Sequence, residues 1–381
     1  MTRGWWWMVC ALGLLAACSS EPVAPSSGAE GRSSEVPLSS SSGDTSTAIQ
    51  QAPLPAAPET PATAGQPGGP SAPLPESALG PDADAGRSQA PAVPAANSTL
   101  GCGQPLPADD PEGPWPQGQW LERHLQTHGQ KDDEDSPWSF EREFYIRIPE
   151  GYDHNRPYPI VFQGPGCGGT HPVEGTYDFD GSRDQFVMVA LRPQYGIHYE
   201  TCFDDKEGED SIDWPFFESL VDYMKARTCL DENRMFAAGN SSGAWLANEL
   251  GCKYAGNTEG YNIRAVGPNT GGLPPVGQEA PICSGQPLAG IWIGDLRDPS
   301  NPWEGNVLAI ERALRVNGCS NPDYHAAATE LFEVPDQPDI CRRVLGCPPD
   351  YPVVYCTFDN GTHEFHRDFG DVAFPRFFLS L

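Results

Sequence analysis

From Glu141 to the C-terminus, short apolar runs of strand character alternate with longer stretches of helical periodicity, and this alternation narrows the fold more than any other feature. Glu141–Pro149 alternates apolar and polar residues like a half-buried strand. Pro159–Phe162, Phe186–Leu191, Arg234–Ala238, Ile263–Val266, Leu288–Ile293 and Val353–Thr357 are short apolar runs bounded by turn residues, as buried strands are. Between them, Trp214–Arg227 carries Phe217, Leu220, Val221 and Met224 at spacings of three and four. Ser242–Lys253 directs Trp245, Leu246 and Leu250 inward, Asn306–Val316 stops at Asn317-Gly318, and Val372–Leu379 reads as a last helix. Such an order predicts an α/β fold: a mostly parallel central sheet with helices on both faces.

Upstream the composition changes. Residues 19–100 are Pro, Ala, Ser and Gly with few aromatics, as in Ser39–Ser42 and Pro53–Pro58. A chain of that kind buries too little apolar surface to offset its conformational entropy, so it is expected to be a tether. Residues 1–18 have the form of an export signal, with Arg3 ahead of an apolar run from Trp5 to Leu15 that is too short to span a bilayer. The run ends Leu15-Ala16-Ala17-Cys18, which resembles the bacterial lipobox. Cys18 is therefore the expected lipidation site, and a lipid anchor in the cell envelope the expected membrane attachment. Ser19, a non-acidic neighbour, points to the outer membrane or cell surface. Residues 101–381 are left to form one sizeable domain.

The formal charge is −29, from 52 acidic against 23 basic side chains. That balance excludes nucleic acid as a partner, since phosphate binding needs basic patches. Of the 12 cysteines, Cys10 and Cys18 fall in the leader; the other ten are expected to form disulfides in an exported chain. None of their spacings is that of a zinc knuckle, so no metal and no cofactor is expected.

The chemistry gathers at Gly239-Asn240-Ser241-Ser242-Gly243. The G-x-S-x-G pattern alone is a weak signal. Here it stands between the strand Arg234–Ala238 and the helix from Ser242, the setting of a nucleophile elbow in an α/β-hydrolase fold. Ser241 is the expected nucleophile, with the helix N-terminus adding a positive field beside a nascent oxyanion. That fold supplies the acid and then the histidine later in the chain. After Ser241 come only His325, His363 and His366. His363, in the loop directly after the last strand, is the first choice for the base and His366 the second. The acid should follow the strand Leu288–Ile293, where Asp298 is preferred to Asp295, the other being a loop-capping acid.

At these blocks the chain resembles the secreted poly(3-hydroxybutyrate) depolymerase-like and feruloyl esterase-like enzymes. The resemblance is carried by Tyr152-Asp153, Tyr158–Phe162 and Gly166-Cys167-Gly168-Gly169. It continues in Cys229–Arg234 running into the serine pentapeptide, then Asp298-Pro299-Ser300-Asn301-Pro302 and Gly361-Thr362-His363-Glu364-Phe365, in the family's order. It implies carboxylic-ester hydrolysis through an acyl-enzyme, on a soluble or polymeric ester, and favours Asp298 as the acid. Oxyanion donors would be the backbone N–H groups of Ser242 and Cys167. Two departures stand out. Gln163-Gly164, followed by Pro165, replaces the family's His-Gly. Asn240 and Thr362 stand where the tannase-like feruloyl esterases have cysteines, which sets the chain apart from that subgroup.

Gln163 is also the best support for a different reading, a catalytically inactive α/β-hydrolase acting as a surface binding module. A peptidase of related fold is a third reading, although the extra propeller domain of many such enzymes is missing. The candidate insertions Tyr195–Asp213 and Gly267–Ser284 are rich in Gly, Pro and acids, which predicts a short or aromatic acyl group and not a long-chain lipid. Trp214, Trp245 and Trp303 fall near the expected mouth, as core or as pocket lining.

Overall fold

Ten strands share one sheet in the computed structural model, which describes residues 99–130, 137–169, 175–194, 202–203, 211–256, 260–273 and 283–381. All of these lie within residues 86–381, one compact unit of the chain. The expected export signal with Cys18, and almost all of the 19–100 segment expected to be a tether, lie outside the described residues.

The strands are β1 (Trp120–Gln130), β2 (Pro137–Arg147), β3 (Tyr158–Gly164), β4 (Val187–Leu191), β5 (Leu230–Asn240), β6 (Ile263–Asn269), β7 (Ala289–Asp295), β8 (Thr329–Leu331), β9 (Cys341–Val344) and β10 (Val353–Phe358). The helices are α1 (Asp213–Arg227), α2 (Ser242–Tyr254), α3 (Trp303–Val316) and α4 (Arg367–Leu379). Strand order is β1-β2-β4-β3-β5-β6-β7-β10-β9-β8. The inner run from β4 to β10 is parallel, and antiparallel pairs flank it on both sides.

The parallel strands are buried on both faces, which is why they read as unbroken apolar runs; β3, β4 and β7 are buried at every residue. One face packs against α1, α2 and α3 through Phe217, Leu220, Leu246, Leu250, Ile310 and Leu314. The other is covered by α4 and by the segment before β4, with Phe374, Phe377 and Phe378 meeting Tyr177, Phe179 and Phe186. Phe378 lies flat on Phe236 of β5, ring centroids 4.5 Å apart.

Three strands go beyond the sequence expectation. β1 reads as polar because two of its inward positions are Arg123 and Thr127, both fully buried. The Arg123 guanidinium donates to the carbonyls of Gly113 and Pro114 at 2.9 and 3.0 Å, so its burial leaves the charge hydrogen-bonded. β8 and β9 are three and four residues long, too short for a periodic signal. Five disulfides pair all ten cysteines of the domain: Cys102–Cys229, Cys167–Cys202, Cys252–Cys283, Cys319–Cys347 and Cys341–Cys356.

The domain starts slightly earlier than its composition suggests. Thr99 is buried, its hydroxyl donating to the Thr228 carbonyl and accepting from the Leu230 N–H at 3.0 Å. Gly101 follows, with its N–H on the Lys225 carbonyl at 3.0 Å. A side chain at 101 would strike the Thr228 backbone at 2.4 Å, so only glycine fits there.

Candidate active site

Ser241 sits between the end of β5 and the first turn of α2 with φ 53° and ψ −116°, a conformation that L-residues avoid. Three glycines let the chain turn this sharply. A Cβ at Gly239 would lie 2.2 Å from the Gly243 carbonyl oxygen, and one at Gly243 would lie 2.0 Å from the Gly164 carbonyl oxygen. The ends of β3 and β5 and the start of α2 therefore cross with backbone against backbone. The Ser241 N–H donates to the Asn269 carbonyl on β6 at 3.0 Å, fixing the turn to the neighbouring strand. Strain held by its surroundings in this way is a feature of functional sites.

The side chain so presented meets His363. Ser241 Oγ is 2.9 Å from His363 Nε2, and His363 Nδ1 is 2.7 Å from Asp298 Oδ2. His363 comes from the loop after β10 and Asp298 from the turn after β7, neighbouring parallel strands whose loops open at the same edge. The Asp298 side chain is enclosed, while His363 keeps 29% of its side-chain surface exposed. Asp298 Oδ1 accepts the backbone N–H groups of Ser300 and Asn301 at 2.7 and 2.9 Å. With one oxygen held by the turn, the carboxylate points the other at the imidazole. Nδ1 then carries the proton and Nε2 faces the serine as an acceptor.

Ser242 is the first residue of α2, so its N–H has no intrahelical acceptor. The segment carrying Cys167 packs on Ser241. A Cβ at Gly166 would lie 3.2 Å from Ser241 Cβ, and Cys167 is fastened to Cys202 by a disulfide. Gln163, the departure at this loop, is fully buried and turned away from the serine. Its Oε1 accepts the Tyr177 N–H at 2.7 Å and its Nε2 donates to the Tyr177 carbonyl at 3.1 Å. Its amide ties β3 to the chain before β4 and leaves Gly164–Cys167 against Ser241. The residue that best supported an inactive fold is thus a structural one.

The second-choice residues have found each other. His366 Nε2 is 2.9 Å from Asp295 Oδ2, both buried. His325 is exposed in a turn, its N–H on the Asp323 carboxylate. Of the three tryptophans, Trp214 and Trp303 are buried in the core. Lys253 lies over the Trp214 ring at 4.1 Å, and the Trp303 indole N–H donates to the Tyr324 hydroxyl at 3.2 Å. Trp245 is corrected from inward to half-buried, one turn into α2 from Ser241. Its indole N–H donates to Asn301 Oδ1 at 3.0 Å, linking α2 to the turn that carries Asp298. Asn301 had no signal of its own, although Asp-Pro-Ser-Asn is a sequence that forms a side-chain-capped turn. Most of Tyr195–Asp213 and half of Gly267–Ser284 lie outside the described residues, and Gly267–Asn269 is the end of β6.

Among the described residues, the side chains close enough to share an ion are Glu122, His124 and Glu143, on the outer strands β1 and β2. They are already engaged: His124 with Glu112 at 2.8 Å, Glu122 with the Tyr145 hydroxyl at 2.8 Å, and Glu143 with Arg192. No helix of the described residues is long and apolar enough to cross a membrane.

No protein-family model matches the chain. A probable feruloyl esterase C of Aspergillus niger is 27% identical over 194 residues, 47% of this chain and 63% of that protein. The feruloyl esterase C of Emericella nidulans is 25% identical over 229 residues, 58% of this chain and 76% of that protein. Among solved structures, an acetyl xylan esterase from Aspergillus awamori superposes with a TM-score of 0.50 and 14% identity, covering 68% of this chain and 100% of its own. At that identity the structural likeness establishes the α/β-hydrolase fold, and the sequence likeness makes the chain feruloyl esterase-like.

Proposed function

We propose that this feruloyl esterase-like α/β-hydrolase cleaves carboxylic esters through an acyl-enzyme on Ser241. The observation that carries the reading is the unbroken chain from Ser241 Oγ through His363, at 2.9 Å, to Asp298, at 2.7 Å. His363 Nε2 takes the serine proton as Oγ attacks the ester carbonyl, and the imidazolium is held by the Asp298 carboxylate. The tetrahedral oxyanion lies against the N–H groups of Ser242 and Cys167. Collapse expels the alcohol with the proton from Nε2. Water then repeats the sequence on the acyl-enzyme, with His363 again as base. No metal or cofactor has a role in these steps.

The acyl group is short or aromatic, as in a feruloyl, acetyl or hydroxybutyryl ester, on a soluble or polymeric alcohol. The curated relatives named feruloyl esterase C and the half-buried Trp245, one turn into α2 from Ser241, support this class. Residues 1–18 act as the export signal with lipid on Cys18, the residues from 19 up to Thr99 as the tether and the chain from Thr99 to Leu381 as the catalytic domain. Five disulfides fit an oxidising compartment.

A fluorophosphonate probe tests the nucleophile: Ser241 is labelled, Ser241→Ala is not, and persistent labelling of the variant overturns the assignment. Rates on acetyl, feruloyl and palmitoyl esters, beside a poly(3-hydroxybutyrate) film, test the acyl class. Preference for palmitoyl esters refutes it, and clearing of the film selects the depolymerase branch. Cys18→Ser should release the protein from the membrane fraction; unchanged membrane association and unchanged mass count against the anchor.

A further inference from the structure

The buried pair of Asp295 and His366 has a regular relation to the triad. Asp295, the last residue of β7, stands three residues before Asp298. His366, the N-cap of α4, stands three residues after His363. The acid turn and the base loop therefore run beside each other like two rails with two rungs. The outer rung is Asp298–His363 at 2.7 Å, and the inner rung is Asp295–His366 at 2.9 Å.

The inner rung is enclosed, with side-chain exposures of 5% for His366 and none for Asp295. The Phe358 ring lies parallel to the His366 imidazole, centroids 3.9 Å apart, so the histidine is also held flat against the end of β10. Phe358 is in register with Asp295, and its carbonyl accepts the Leu296 N–H at 2.8 Å. Apart from the two rungs, the side-chain hydrogen bonds between the two loops among the described residues run from Arg297 to Asp359 and are exposed. Surface pairs of that kind fix geometry weakly.

Stability does not account for a buried carboxylate and imidazole here. Well-packed apolar side chains of similar volume usually serve stability as well or better. What a buried hydrogen-bonded pair supplies is a defined distance between the elements that carry it. We propose that Asp295 and His366 are positioning residues, which set the spacing of the acid and base loops and so bring His363 Nε2 to Ser241. The proposal rests on the reading of Ser241, His363 and Asp298 as the triad.

The test uses the full-length protein with Asp295→Ala, Asp295→Asn, His366→Ala, His366→Gln and His366→Asn. Asparagine at 295 keeps an acceptor, and glutamine at 366 puts an N–H near the place of Nε2. Asparagine at 366 is too short to reach, and it stays polar should the alanine variants fail to fold. Two readouts are taken: kcat and KM on a chromogenic acetate ester, and the far-downfield Nδ1–H resonance of His363, assigned by its loss in His363→Ala.

Asp295→Ala, His366→Ala and His366→Asn should lower kcat about 100-fold with KM unchanged, the effect of a misplacement near 1 Å. The same variants should shift or broaden the His363 resonance, while Asp295→Asn and His366→Gln restore both readouts. Folded alanine variants, or His366→Asn, with wild-type kcat and an unmoved resonance overturn the proposal. A wild-type protein inert on the ester, whose His363 resonance is still moved by His366→Asn, overturns the esterase reading and leaves the pairing standing.

Discussion

Asp298→Asn changes one atom and tests how the triad is oriented. Asp298 Oδ1 accepts two backbone N–H groups, from Ser300 at 2.7 Å and Asn301 at 2.9 Å. An asparagine must keep its oxygen on those donors, because the flipped amide would set its NH2 against two N–H groups. Its NH2 is then forced to the place of Oδ2, 2.7 Å from His363 Nδ1. That nitrogen must become an acceptor, so the imidazole proton moves to Nε2 and faces Ser241 in the wrong tautomer. In the serine-protease template the same exchange costs about 10⁴ in turnover, or about 5 kcal/mol of transition-state stabilisation. Because the turn keeps its acceptor, the melting temperature should hardly move. The assay is kcat/KM on a chromogenic acetate ester, with thermal melting alongside. A folded Asp298→Asn enzyme that loses less than about tenfold would refute the tautomer argument and the role of Asp298 with it.

Other expectations follow from packing and charge. Gly243→Ala drives a Cβ to 2.0 Å from the Gly164 carbonyl oxygen, so it should cost about 3 kcal/mol or prevent folding; an unchanged denaturation midpoint would contradict the crossing described at the elbow. Gln163→Leu leaves the Tyr177 N–H and carbonyl without their side-chain partner, and chemical denaturation should show a loss of about 1–3 kcal/mol for each group. Burial pushes the Asp371 carboxyl up to about 6 from 3.8, against two backbone N–H groups that favour its charge. The folded state then holds this proton longer than the unfolded state, so its contribution to stability is full below pH 3.8. It is lost as pH rises through about 6, by about 3 kcal/mol in all. Asp371→Asn should melt above the wild type at pH ~8 and converge with it at pH ~4; identical melting curves at both would refute the assignment.

What the sequence disclosed depended on whether a residue's neighbours were close in the chain. The parallel strands and the four helices were legible because burial on both faces leaves apolar runs and amphipathic helices leave a stripe. The sharp turn at Ser241 was legible because it is a local strand–turn–helix device. β1 was not, because its buried Arg123 and Thr127 look like surface residues until Gly113 and Pro114 are brought beside them. Gln163 looked like damage to an oxyanion loop because its partner, Tyr177, lies 14 residues further along the chain. Asp295 and His366 were ranked below Asp298 and His363 at their loops, yet their contact with each other spans 71 residues and left no trace in spacing. Proximity across the sheet edge is information that periodicity does not carry.

The fastening of Thr99 and Cys102 beside Thr228 and Cys229 sets the direction in which the protein faces. These contacts lie at the start of β5, and Ser241 follows its last residue, Asn240. Eleven residues of extended strand separate the two ends by about 35 Å. The chain therefore enters the domain at Thr99, at the end of β5 away from Ser241. The same geometry recommends the N-terminus for attaching the protein to a bead or surface in any assay on insoluble substrate.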